Sequence, residues 1–149
     1  MTGDPHLVGH VHLKVSDLEA ASEFYTEVLG LSVTESHGRF RFLSWGERHH
    51  DVALQEVRPD APGPNDGVGL YHAAMEVPDG ASLAAVYERV RARGVDVSAV
   101  DHGISKAIYF SDPAGNGLEI YLDTREENDQ PHWSGTNRSF DPEGLAADR

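Results

Sequence analysis

The side chains best able to do chemistry in this 149-residue chain are its nine histidines, because no cysteine is present. Two of them, His10 and His12, alternate in "GHVHLKV", and a third, His72, opens "HAAMEV". Residues two apart on a strand share a face, so His10 and His12 look the same way, and only a longer-range pattern separates them. His10 to Asp17 and His72 to Asp79 are both seven apart, and Asp17 to Tyr25 and Asp79 to Tyr87 are both eight. The sequence is therefore doubled, His72 aligning with His10 and Ala74 with His12. A duplication implies pseudo-twofold symmetry, which brings His10 and His72, but not His12, to equivalent positions about the axis. The third piece is Glu119 in "GNGLEIYLD", whose neighbours Leu118 and Ile120 alternate onto the opposite face. Two imidazoles and one carboxylate with open positions make up the ligand set of a non-heme Fe(II) oxygen-activating site, and the same set serves Mn or Zn.

The elements that must position these groups are legible around them. "HVHLKV" alternates apolar Val11, Leu13 and Val15 against His10, His12 and Lys14, as a half-buried strand does. "SDLEAASEFYTEVLG" supplies Ser16 or Asp17 as N-cap, helix-spaced Leu18, Ala21, Phe24, Tyr25, Val28 and Leu29, and Gly30 as the stop. "RFRFLSW" and "DVALQEV" read as further strands, and "RPDAPGPNDG", residues 58–67, as a linker. The second copy repeats strand and helix, then continues with "KAIYFSD", the turn "PAGNG" and "LEIYLD". The halves are residues 8–57 and 70–123. The polar tail from 124 to 149 holds isolated Trp133 and Phe140 and reads as mostly irregular, with Trp133 either packed over a site or loose.

Bulk properties limit the functions open to this arrangement. The length suits one domain, residues 1–149, large enough for a real core. Without cysteine there is no disulfide, thiolate site or cysteine nucleophile, in keeping with a reducing compartment. Twelve basic against 25 acidic residues leave a net charge of −13, which repels phosphate backbones and anionic lipid. No signal-peptide pattern opens the chain and no run approaches membrane-spanning length. The expectation is a cytoplasmic protein with no nucleic-acid or membrane partner.

Taken together, "GHVHLKVSDLEAASEFYTEVLGL", "YHAAMEV" and "SDPAGNGLEIY" resemble the vicinal oxygen chelate superfamily, which includes glyoxalases, bleomycin and fosfomycin resistance proteins and extradiol ring-cleavage dioxygenases. The resemblance covers about residues 7–124. It implies an α+β fold of two βαβββ modules in tandem, forming a cupped, barrel-like mixed sheet around a metal held by His10, His72 and Glu119. Further segments resemble the extradiol dioxygenases in particular. In "FLSWGERHHDVAL" a histidine directly before an apolar strand matches their acid–base and oxygen-binding residue, which falls on His50, with His49 its neighbour. In "DHGISKAIYFSDPAGNGLEIY" the match gives catalytic roles to His102 and to Tyr109, ten residues before Glu119. Two departures stand out: the loop from His102 to Tyr109 is about two residues shorter than in the family, and the familiar ring-cleaving enzymes carry an additional pair of modules.

The resemblance thus implies a catechol-cleaving enzyme using Fe(II), with Mn, Zn or Ni as other occupants, whose partners are a small aromatic diol and O2; the sequence leaves open whether it acts as a monomer or a homodimer. His50 would move a proton near neutral pH, while Tyr109 and His102 would hydrogen-bond the substrate oxygens. Two rivals stand beside this reading. A glyoxalase-like isomerase usually adds a carboxylate from the first half, for which Glu56 is the nearby candidate; a metal-free protein sequestering an aromatic drug would not need His10, His72 and Glu119 together.

Overall fold

The computed structural model describes residues 2–148 and divides into two compact units, with the boundary between Gly63 and Pro64. The first unit runs β1 (Val11–Val15), α1 (Leu18–Leu29), β2 (Ser32–His37), β3 (Phe40–Ser44) and β4 (Val52–Glu56). Its four-stranded open sheet has the order β1-β4-β3-β2, with β1 and β4 parallel and the other pairs antiparallel. Leu13, Val15, Leu43, Val52 and Leu54 are buried with Leu18, Ala21, Phe24, Tyr25, Val28 and Leu29 of α1. Each such aliphatic side chain contributes about 1.5–3 kcal/mol when fully removed from water. Asp17 caps α1, its carboxylate accepting from the Ala20 N–H, and Gly30 ends it at a φ of 71°, where glycine carries no steric penalty.

The second unit repeats the plan: β5 (Ala73–Glu76), α2 (Gly80–Ala92), β6 (Ser98–Asp101), β7 (Ser105–Ser111) and β8 (Gly117–Asp123), followed by a short β9 (Arg138–Ser139) and a 3-10 helix (Pro142–Asp148). Its open sheet is ordered β5-β8-β7-β6-β9, so the first four positions match β1-β4-β3-β2. Asp79 caps α2 as Asp17 caps α1, accepting from Ser82 N–H at 2.7 Å. The doubling read from the two histidine-to-aspartate spacings is thus a doubling of the strand-to-helix joint.

The expected mixed α+β fold takes the form of two open sheets of four and five strands, because β1 finds its parallel partner in β4 and β5 finds its own in β8. Two features depart from the expected pattern. β2 and β6 were not visible as alternating runs, since all six residues of β2 are exposed and β6 has no buried residue. The tail is also more ordered than its composition suggests: β9 pairs with β6, and Leu145 of the 3-10 helix packs where a Cβ on Gly80 would lie 3.4 Å away. No helix among the described residues is long and apolar enough to cross a membrane.

Candidate functional site

In each unit the helix covers one face of the sheet, and the candidate residues occupy the other. In the second unit Leu118 and Ile120 of β8 are buried, so alternation sends Glu119 to the opposite face. There Glu119 lies in one cross-strand row with Ala74 of β5 and Tyr109 of β7. His72 precedes β5 and reaches the same row because the chain passes very close to β8. A Cβ at Gly117 would meet the Tyr71 carbonyl at 2.7 Å, so glycine permits this approach.

The result is a connected row of four side chains, in which Glu119, Tyr109 and His102 are hydrogen-bonded and His72 meets Glu119 as an ion-pair partner. His72 Nε2 lies 2.8 Å from Glu119 Oε2, the two side chains being 28% and 14% exposed. Tyr109 donates to Glu119 Oε1 at 3.1 Å, and its oxygen lies 2.7 Å from Nε2 of His102. His102 stands in the turn between β6 and β7, a turn fixed where Thr124 and Asn128 both donate to the Gly103 carbonyl. Burial, together with the Glu119 carboxylate, pushes the Tyr109 phenol up to about 12, so it keeps its proton throughout the neutral range. Beside His102 opens a polar cavity of about 250 Å³, lined also by Gln130, Ser134, Thr136 and Arg138.

The first unit offers a cluster of imidazoles. His10 immediately precedes β1 rather than lying in it, and the parallel pairing of Val11 with Val52 sets it beside the residues that lead into β4. The His10 and His50 rings are 4.4 Å apart. His50 lies one residue before the end of the β3–β4 connection, which is held by Ser44 Oγ donating to the Arg48 carbonyl and by Asp51 accepting from Trp45 N–H. Its other neighbours are Phe42, at 5.1 Å between ring centres, and His49, whose Nδ1 lies 3.0 Å from His50 Nδ1. His49 Nε2 in turn meets Glu35 Oε2 at 2.9 Å. A carboxylate there accepts, so Nε2 of His49 carries the hydrogen; in neutral His49 the bare Nδ1 then accepts from Nδ1–H of His50. That leaves the lone pair of His50 on Nε2. Burial, followed by the nearby imidazoles of His10, His49 and His12, holds the His50 pKa below the ordinary histidine value, which keeps it a neutral base.

His12 occupies the row below His10, exposed and edge-on to Phe40 at 6.2 Å. In that row β1 His12, β4 Ala53, β3 Phe42 and β2 Glu35 are aligned. The equivalent row of the second unit holds Ala74, Glu119, Tyr109 and Ser98. Ala53 therefore stands where Glu119 does, and Phe42 where Tyr109 does. Glu56, the single acid of β4, is engaged elsewhere: its carboxylate accepts the Leu18 N–H at 2.8 Å and so caps α1 alongside Asp17.

Of the residues expected to act, His72, Glu119, Tyr109 and His102 meet in the second unit, and His10 and His50 meet in the first. Within neither unit, among the described residues, do three His, Cys, Asp or Glu side chains gather to hold a metal. Sequence reasoning missed Asn137, whose Oδ1 lies 2.6 Å from His102 Nδ1, and it missed the Glu35–His49 pair. No local periodicity marks either of these.

Comparison with known proteins adds to this geometry. A model of the Glyoxalase/Bleomycin resistance protein/Dioxygenase superfamily matches residues 7–120. Catechol-2,3-dioxygenase of Bacillus subtilis is 32% identical over 95% of this chain, which spans about half (51%) of that relative's length. Biphenyl-2,3-diol 1,2-dioxygenase 2 of Rhodococcus globerulus is 30% identical over 99% of this chain and 80% of its own. The crystal structure of a lactoylglutathione lyase from Agrobacterium tumefaciens superposes with a TM-score of 0.61 at 24% identity, covering 79% of this chain and 94% of that one, a likeness of fold.

Proposed function

This chain belongs to the glyoxalase/bleomycin resistance protein/dioxygenase superfamily, and from that premise we propose that it is a metal-dependent extradiol dioxygenase, opening the ring of a catechol-type aromatic with O2. The observation that carries the reading is Tyr109, in hydrogen-bond reach of both Glu119 and His102. A protonated phenol directly beside a ligand carboxylate suits a substrate that arrives with two vicinal oxygens. The names of the two dioxygenase relatives point the same way.

His10, His72 and Glu119 are the residues that would hold the metal. The donor set fits: an imidazole nitrogen and a carboxylate oxygen converge at 2.8 Å, both largely shielded from water, in a chain with no thiolate. When bound, Fe(II) (or Mn, Zn or Ni in its place) supplies Lewis acidity toward the catechol oxygens and, for iron, electron exchange with O2. The remaining chemistry belongs to the chain. Tyr109 gives its hydrogen to a substrate oxygen and fixes the ring's orientation. His102, behind Tyr109, steadies the phenol. His50, neutral and with its lone pair on Nε2, takes a proton from the catechol and returns one later in the reaction.

Two observations weigh against a glyoxalase-like isomerase. Ala53 fills the register position where a first-half carboxylate would mirror Glu119, and Glu56 is committed to capping α1.

The test is anaerobic loading with Fe(II), followed by a panel of one-ring and two-ring catechols. The expected result is a yellow ring-opened product with stoichiometric oxygen uptake, and no isomerisation of a glutathione hemithioacetal. The reverse pattern assigns the chain to the isomerases. Binding of an aromatic drug by protein that takes up no metal assigns it to the sequestering proteins.

A further inference from the structure

Both ring nitrogens of His102 are engaged: Nε2 by the Tyr109 hydroxyl at 2.7 Å, and Nδ1 by the Asn137 carboxamide at 2.6 Å. Asn137 is 35 residues away in sequence, and it is delivered by the tail. Immediately after it, Arg138 and Ser139 form β9, whose pairing with Asp101 and Val100 ties the tail to the strand that ends just before His102. A second tail residue closes on the same imidazole: the Trp133 ring stands edge-on to it at 6.5 Å, with its own N–H donated to the Thr136 carbonyl. His102 is thus gripped on one side by the sheet and on the other by a segment that the βαβββ plan does not require.

We propose that Asn137 is a positioning residue for the ring-cleavage reaction, holding His102 so that Nε2 faces Tyr109 while leaving that nitrogen free either to donate or to accept. The chemistry of the carboxamide carries the second half of this statement. Its oxygen accepts from Nδ1–H, in which case neutral His102 presents a lone pair at Nε2. Turned by 180°, its NH2 donates to a bare Nδ1, in which case Nε2 presents a hydrogen. Tyr109 has one hydrogen and two partners, Glu119 Oε1 and His102 Nε2. When the phenol gives that hydrogen to the carboxylate, Nε2 must donate; when the phenol is drawn toward His102, Nε2 must accept. Asparagine serves both states, whereas a carboxylate at the same place would accept only and hold the hydrogen on Nδ1.

The inference rests on the dioxygenase reading for its kinetics but not for its geometry, and the experiment separates the two. In metal-free protein, long-range ¹⁵N–¹H NMR of the histidine side chains should show Asn137→Ala moving the His102 ring signals while those of His10, His50 and His72 stay in place. Asn137→Asp should restore an anchored His102 with the hydrogen fixed on Nδ1. In the Fe(II)-loaded enzyme, Asn137→Ala should lower kcat about 10-fold, the scale of one lost hydrogen bond, with KM and iron content unchanged. Asn137→Asp should recover the anchor yet shift the acidic limb of the pH profile upward. Asn137→Ala should cost nothing further in a Tyr109→Phe background, because it acts through the phenol. Unmoved His102 signals in Asn137→Ala, or a kcat loss that adds in full to that of Tyr109→Phe, would overturn the proposal. Absence of catechol turnover in the parent, with the NMR result as expected, overturns the dioxygenase reading and leaves the anchor standing.

Discussion

His72 Nε2 lies 2.8 Å from Glu119 Oε2 although the register of β5 and β8 pairs Glu119 with Ala74, two residues further on. The contact is diagonal, made possible by the close approach at Gly117. Two donors held this way meet a cation by giving up one N–H, as metal binding requires. His72→Ala, Glu119→Ala and His10→Ala should each lose most bound metal in elemental analysis of Fe(II)-loaded protein. His12→Ala should retain it, since that ring packs against Phe40. Metal loss in the His12 variant, with His10→Ala unaffected, would refute the register argument.

Glu56 distinguishes two metal chemistries through its stability effect. Its carboxylate caps the Leu18 N–H, so Glu56→Ala should lower unfolding free energy by about 1 kcal/mol, measured in urea, without changing metal content. Loss of metal at unchanged stability would instead make Glu56 a ligand and favour an isomerase-type set.

The two proposed proton-handling residues should rank clearly. His50→Ala removes a neutral base and should lower turnover on the order of 100-fold to 10,000-fold with metal retained. Tyr109→Phe removes one hydroxyl whose hydrogen bond to a charged partner is worth about 1.5–3 kcal/mol, which corresponds to about 10-fold to 100-fold. Steady-state oxygen uptake decides; His50→Ala turning over at the parent rate would return His50 to the role of a loop residue.

A pH dependence follows from the α2 cap. The Ser82 side chain and then its backbone N–H hold the Asp79 carboxyl below its ordinary pKa of 3.8. A depressed folded-state pKa stabilises the fold above the unfolded value, and that stabilisation is lost as pH falls through the folded one. Asp79→Ala should therefore melt at a lower temperature than the parent at neutral pH, and the difference should close as pH drops below 3.8. Asp79→Ser should keep most of the parent's stability, since serine is also a good cap. A gap that stays constant down to strong acid would show that the carboxylate charge plays no part.

What could be read in the sequence was what short-range chemistry encodes. The strand-to-helix joints at His10–Asp17 and His72–Asp79 are local, and both aspartates cap helices. The choice of His10 over His12 came from the same spacing. β2 stayed hidden because a fully exposed edge strand leaves no hydrophobic alternation to detect, and its register shifts between Val33 and Glu35. Asn137 stayed hidden for another reason: its contact with His102 exists only because β9 finds β6. That the first unit has no carboxylate at the register position equivalent to Glu119 was legible only as a tendency toward apolar residues; the strand register identifies the residue there as Ala53.

The two-residue β9 also has a consequence for the life of the protein outside its chemistry. It covers the outer edge of β6, whose Val100 and Asp101 would otherwise offer unpaired backbone groups to any passing strand. A chain clipped before Asn137 would lose the histidine anchor and at the same moment gain a sticky border. Proteolytic trimming of the tail should thus surface first as self-association and precipitation of the purified protein.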